Sequence, residues 1–142
     1  MKNGDHGTAD EPPQPIGIAV VIYDRRVLVG VRGPDGPLPG LAEFPGGKCD
    51  PGESPIECAV RECREETGLD VLVETELADL VWQYSHRRVH LYFVHCRPKQ
   101  DEDVQPFQQG FRWVAAEELS LLDFPEANQQ LVGRIQKLLR QT

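Results

Sequence analysis

The run Pro55 to Thr67 (PIECAVRECREET) carries three closely spaced carboxylates, Glu62, Glu65 and Glu66. If the run is helical, each residue turns by roughly 100°, which puts Glu65 at about -60° and Glu66 at about +40° from Glu62. All three then share one arc. Ile56, Val60 and Cys63 fall at roughly 100–160° on the same wheel, so a separate apolar arc is left for a core. Like charges three and four positions apart oppose a helix by about 0.2–0.5 kcal/mol each. Two readings of the acidic arc stay open: a solvated face relieved by Arg61 and Arg64, or a cluster that holds a divalent cation. The context favours the cation, because Glu53 stands just before the run and the glycine pair Gly46-Gly47 lies upstream. Oxygen-only ligands suit hard dications such as magnesium or manganese. A cation of this kind bridges a polyphosphate and lowers the pKa of a bound water. A spare carboxylate can then act as general base toward that water. The chemistry indicated is hydrolysis of a phosphoanhydride.

Elements with clear sequence signals are available to position these residues. Ser54-Pro55-Ile56-Glu57 combines an N-cap serine, proline at the first helical position and glutamate three residues after the cap. A helix over Pro55–Thr67 is expected, closed by Gly68 in the left-handed conformation. The β-branched runs GIAVVIY (17–23) and VLVGV (27–31), separated by Asp24-Arg25-Arg26, predict a hairpin. GPDGPLPG (33–40) is a loop. Val71–Val81, Arg88–Cys96 and Gly110–Val114 read as further strands, the second alternating Val89, Leu91, Phe93 against His90, Tyr92, Val94. Asp123-Phe124-Pro125 opens a C-terminal helix with Leu131, Ile135 and Leu138 at helical spacing. The pattern indicates an α/β domain with helices packed on a mixed sheet.

The chain has 142 residues, 39% of them hydrophobic, which suits one domain of residues 16–142 behind a polar tail, residues 1–15. No apolar run reaches the roughly 18 residues needed to span a bilayer, and the N-terminus lacks a signal peptide, so a cytoplasmic protein is expected. The formal charge of -8 weighs against a DNA- or RNA-binding face. The partner expected instead is a small nucleotide, with the cations it needs. Cys49, Cys58, Cys63 and Cys96 have neither CxxC nor zinc-finger spacing and read as reduced thiols. His6, His86, His90 and His95 show no ligand spacing. His90 reads as a surface or packing residue, and Trp82 and Trp113 as core or pocket-wall residues.

The series Gly47, five residues, Glu53, seven residues, then Arg61-Glu62-Cys63-Arg64-Glu65-Glu66-Thr67-Gly68-Leu69 resembles a complete Nudix box. The segments Glu43-Phe44-Pro45-Gly46-Gly47-Lys48 and Asp123-Phe124-Pro125-Glu126-Ala127-Asn128 are similar to the MutT-like branch of that family. The resemblance implies a Nudix α/β/α sandwich, with a mixed sheet between helices and the box forming loop, helix and loop. It implies magnesium or manganese held by the Gly46 carbonyl with Glu53, Glu62, Glu65 and Glu66, and Arg61 ion-paired to the carboxylates. Glu62 is the first choice as general base and Glu53 the second. By the same resemblance, water attacks the β-phosphorus of a nucleoside triphosphate and releases the monophosphate and pyrophosphate.

On the recognition side, Asn128 matches the asparagine with which MutT-like enzymes read an oxidised guanine, and its amide offers both donor and acceptor. The alternative is that Asn128 merely begins a helix. Arg32, Arg87 and Phe44 match substrate-side positions, and each is equally readable as a surface or packing residue. One departure stands out. Counting back from Trp113 to a further family glutamate lands on Phe107, and the run Asp101-Glu102-Asp103 is either a substitute ligand or a solvated turn. The leading expectation is an 8-oxo-dGTP diphosphatase, monomeric or homodimeric. A Nudix hydrolase of a pyrimidine triphosphate, dinucleoside polyphosphate or ADP-ribose is the alternative, and a nucleotide sensor without catalysis is a third. A glycosylase relative would need a further catalytic domain.

Overall fold

The computed structural model describes residues 11–36 and 38–142. Residues 1–10 of the expected tail, His6 among them, lie outside the described residues. The chain runs β1 (Gln14–Tyr23), β2 (Arg26–Val31), β3 (Ala42–Glu43), β4 (Gly46–Lys48), α1 (Pro55–Thr67), β5 (Val71–Gln83) and β6 (Arg88–Pro98). A 3-10 turn at Asp101–Asp103 follows, then β7 (Phe107–Gln108), β8 (Phe111–Ala115), α2 (Ala116–Leu119) and α3 (Glu126–Gln141).

The strands form one mixed sheet in the order β5-β6-β1-β2-β8-β7, with β3 paired to β2 and β4 to β1. β1 and β6 are parallel over eight residue pairs, Gln14↔Val89 to Val21↔Cys96, and the other pairs are antiparallel. The β1–β2 hairpin turns through Asp24 (φ 51°) and Arg25 (φ 61°), two left-handed residues whose twist matches the flanking strands.

The apolar run of β1 is continuous because both its faces are covered. Ile18, Val20 and Ile22 join Leu91, Phe93 and the α3 residues Leu131 and Ile135 in one core layer. Ala19 and Val21 point the other way, into a layer with Ala59 and Cys63 of α1 and with Val94 and Cys96. The result is the expected sandwich, with α1 on one face of the sheet and α3 on the other.

The helix α1 has the predicted bounds. Ser54 Oγ accepts the Glu57 N–H, Glu57 accepts the Ser54 N–H, and Gly68 closes the helix at φ 77°. Elsewhere the elements differ in detail from expectation. β1 takes in Gln14 and Pro15, assigned above to the tail, and β5 and β6 each run two residues further than predicted. α3 starts at Glu126 without a side-chain cap, so Asp123 does not cap it. The Asp123 carbonyl instead accepts the Ala42 N–H at 2.7 Å and ties β3 to the start of α3. Among the described residues, no helix is long and apolar enough to cross a membrane.

Candidate active site

The site begins with a close approach of helix to strand. Gly17 and Gly47 face each other across β1 and β4. A Cβ on Gly17 would lie 2.7 Å from the Ala59 nitrogen, and one on Gly47 would lie 2.5 Å from the Glu62 carboxyl carbon. Only glycine lets α1 lie this near the sheet and lets Glu62 rest over β4. The polar arc of the helix thereby faces the loop from Cys49 to Ser54.

Arg61 organises that arc. Its Nε and Nη2 donate to the two oxygens of Glu53 at 2.7 and 3.0 Å, a fork-on-fork pair. Its Nη1 donates to Glu62 Oε2 and Glu65 Oε1, both at 3.1 Å, and Nη2 also reaches the Lys48 carbonyl at 3.2 Å. Two of the three like charges noted in the sequence, Glu62 and Glu65, are thus compensated by one guanidinium. This pairing, with the Asp50 N–H at 2.9 Å, holds the Glu53 carboxyl down at about 2, so Glu53 stays ionised. The same contacts keep Arg61 charged.

Glu66 sits differently. The Gly46 N–H donates to its Oε1 at 3.1 Å. Burial pushes its carboxyl up to about 7; the Gly46 N–H opposes the shift, and Glu62 and Glu43 add repulsion. Burial also raises the Glu43 carboxyl, with Arg32 opposing. The side chains of Glu53 and Glu62 are 14% and 16% exposed and that of Glu65 is 57% exposed, so the cluster is sheltered at one end and open at the other. Glu43, Glu53, Glu62, Glu65 and Glu66 line one acidic region around Arg61, and the chemistry of such an oxygen-rich lining suits a hard dication. Sequence reasoning missed Glu43, whose signal was only its place at the start of the EFPGGK segment.

The expected recognition residues are placed unevenly. Arg32 pairs with Glu43 at 3.5 Å and also acts electrostatically on Tyr84, a half-buried residue that sequence reasoning did not single out. Phe44 is buried and stacks on Phe124 with centroids 4.9 Å apart. Arg87 is exposed on the β5–β6 turn, where its carbonyl accepts the Tyr84 N–H. Asn128 lies in the first turn of α3 and is only 8% exposed. Its backbone N–H bonds to the Pro125 carbonyl, while its side-chain amide has no hydrogen-bond partner among the described residues.

Phe107, the position reached by counting back from Trp113, pairs with Arg112 in the strand register. Gln108, not Phe107, pairs with Phe111 and shares its face toward α1. Gln108 is buried, and its Nε2 donates to the Thr67 carbonyl at 3.1 Å at the end of α1. An uncharged amide therefore stands beside that helix end, while Phe107 is exposed on the edge strand. Asp101-Glu102-Asp103 forms the exposed 3-10 turn. His90 bonds Asp79 at 2.6 Å and Tyr92 at 3.1 Å on the β5–β6 surface.

The arrangement has a counterpart among known proteins. The NUDIX domain family model matches residues 13–134. The chain belongs to the Nudix family. An 8-oxo-dGTP diphosphatase of Escherichia coli (strain K12) is 27% identical over 115 residues, 81% of this chain and 89% of that protein. A CTP pyrophosphohydrolase of the same organism is 34% identical over 110 residues, 77% of this chain and 79% of its own length. The crystal structure of a MutT protein from Methanosarcina mazei Go1 matches the fold with a TM-score of 0.74 at 19% identity, covering 92% of this chain and 97% of that one. This Nudix chain is a pyrophosphohydrolase.

Proposed function

We propose that the chain hydrolyses a purine nucleoside triphosphate, with 8-oxo-dGTP preferred, to the monophosphate and pyrophosphate, using magnesium or manganese. The observation that carries the substrate is Asn128. Asn128 is largely buried, yet no fully buried polar side-chain atom among the described residues lacks a partner, so its amide reaches the surface. Here the amide is left for a ligand, and its donor and acceptor suit the edge of an oxidised guanine. The relatives named 8-oxo-dGTP diphosphatase support the same reading.

Glu53, Glu62, Glu65 and Glu66, with the Gly46 carbonyl, are the residues that would hold the metal. When bound, the dication neutralises the polyphosphate and acidifies a water. Arg61 keeps the carboxylates aligned, and Glu62 takes the proton from the attacking water. Glu53 is the weaker candidate for base, since two bonds from Arg61 and one from Asp50 hold its charge in place. Arg32 and Arg87 meet the phosphates, and such a pool-cleaning role belongs in the cytoplasm. A second reading, a pyrimidine triphosphate, is favoured by the CTP pyrophosphohydrolase relative.

The test is pyrophosphate release, with magnesium and after chelation, across dGTP, 8-oxo-dGTP, CTP, a dinucleoside polyphosphate and ADP-ribose. Preference for 8-oxo-dGTP that vanishes on chelation is expected. Preference for CTP would keep the chemistry and overturn the substrate, and no cleavage of any compound would overturn both.

A further inference from the structure

Two cysteines nine residues apart meet beside the carboxylate cluster, and the Nudix box has no use for them. Cys49 follows β4, with its N–H bonded to the Pro15 carbonyl at 3.0 Å, and Cys58 lies in the first turn of α1 with its N–H on the Ser54 carbonyl at 2.9 Å. The loop between them carries Glu53. The two sulfurs and a Glu53 carboxylate oxygen all lie within 4.8 Å of one another, and Cys58 Sγ is 3.2 Å from the Gly47 carbonyl oxygen. Cys49 is 8% exposed and Cys58 fully buried.

We propose that Cys49, Cys58 and Glu53 form a binding site for a soft or borderline dication such as Zn2+ or Cd2+, with the Gly47 carbonyl or a water as fourth ligand. Zinc takes sulfur at about 2.3 Å and carboxylate oxygen at about 2.0–2.2 Å, so ligand atoms on a tetrahedral ion stand roughly 3.5–3.8 Å apart. The cluster is already near that spacing, and small side-chain rotations close the difference. Thiolates select such metals over magnesium, which the oxygen-only face of the same helix suits. Two thiolates and a carboxylate exceed the charge of one dication, and Arg61 Nη2, 4.0 Å from Cys58 Sγ, offsets the excess. Both thiols are held in the protonated form, chiefly by burial, and release their protons to solvent when the metal binds. Glu53 cannot serve Arg61 with both oxygens and ligate the soft ion at once. Occupancy would therefore loosen the carboxylate arrangement, a consequence that rests on the function proposed above, whereas the binding does not.

Cadmium titration of the reduced, chelator-stripped full chain, followed by thiolate-to-metal charge-transfer absorption, reads the site directly. The expected result is a band that saturates at one equivalent, is lost in Cys58→Ala, is lost or halved in Cys49→Ser, and persists in Cys96→Ala. In Glu53→Gln the band should remain with affinity reduced by about tenfold or more. Circular dichroism checks that each variant is folded. Should Cys58→Ala not fold, Cys49→Ser decides alone, because Cys49 lies outside both core layers. A band that survives both cysteine changes, or no band at stoichiometric cadmium in the wild type, overturns the site, and unchanged affinity in Glu53→Gln removes the third ligand from it.

Discussion

The two faces of the sheet are built by different rules. On the α1 face, Gly46 to Glu66 supply Gly47, Glu53, Arg61, Glu62, Glu65 and Glu66 from one continuous stretch, with Gly17 and Glu43 added from outside it, and Arg61 contacts three glutamates. The candidate recognition residues come instead from the positions just after β2 and β3, the β5–β6 turn and α3, segments far apart in the chain. The first region is a preorganised polar network. The second presents the Asn128 amide at the surface, with no side-chain hydrogen bond among the described residues. The difference teaches that a polar network built within one stretch can be read as a motif, while the candidate recognition residues are brought near one another only by the fold.

The largest effect should come from the network. Glu62→Gln keeps the shape and removes the proton acceptor, so turnover is expected to fall by about 10²–10⁴-fold while the far-ultraviolet spectrum is unchanged. Wild-type turnover in that variant would sink Glu62 as base. Next comes Asn128→Ala. An unmade hydrogen bond to the base costs about 1–3 kcal/mol, which corresponds to roughly 5–150-fold in kcat/KM for 8-oxo-dGTP. Hydrolysis of CTP should change far less. An equal loss on every nucleotide would make Asn128 structural and blur the contrast between the faces.

Phe44→Leu sharpens the contrast from the other side. Because Phe44 stacks on Phe124 inside the core, the change should lower unfolding free energy by about 1–2 kcal/mol in urea titration and leave base preference as it was. A switch in preference without loss of stability would return Phe44 to the nucleoside pocket.

Legibility in the sequence follows the same division. α1 was readable to the residue because its start carries three independent signals and its end a glycine that takes φ 77°. The carboxylate arc was readable because helical spacing converts directly to angle. β3, β4 and β7 span only two or three residues, too short for any period to show, and they exist through pairing with β1, β2 and β8. Glu43 was missed for that reason. The burial of Gln108 against the end of α1 was not readable because Gln109 and Gly110, at φ 52° and 90°, turn the chain, and register rather than sequence distance decides which side chain faces α1. Cys49 and Cys58 match no known ligand spacing, since a loop and not a turn of helix returns one to the other.

Ser54→Ala should give the smallest effect, and it asks whether the motif's local structure and its chemistry separate. Ser54 Oγ accepts the Glu57 N–H at 3.0 Å and Glu57 Oε1 accepts the Ser54 N–H at 2.9 Å, both exposed to solvent. Losing the cap should cost about 1 kcal/mol, a drop of a few degrees in Tm by calorimetry. The loop ahead of it is fastened independently, by the Glu53 N–H on the Asp50 carbonyl and by Arg61 on Glu53. Turnover should therefore stay within about twofold, since a surface cap does not reach the carboxylates. A loss of turnover comparable to that of Glu62→Gln would mean that the helix start itself sets the position of Glu53, and the α1 face would then be one cooperative unit rather than a network resting on a separately capped helix.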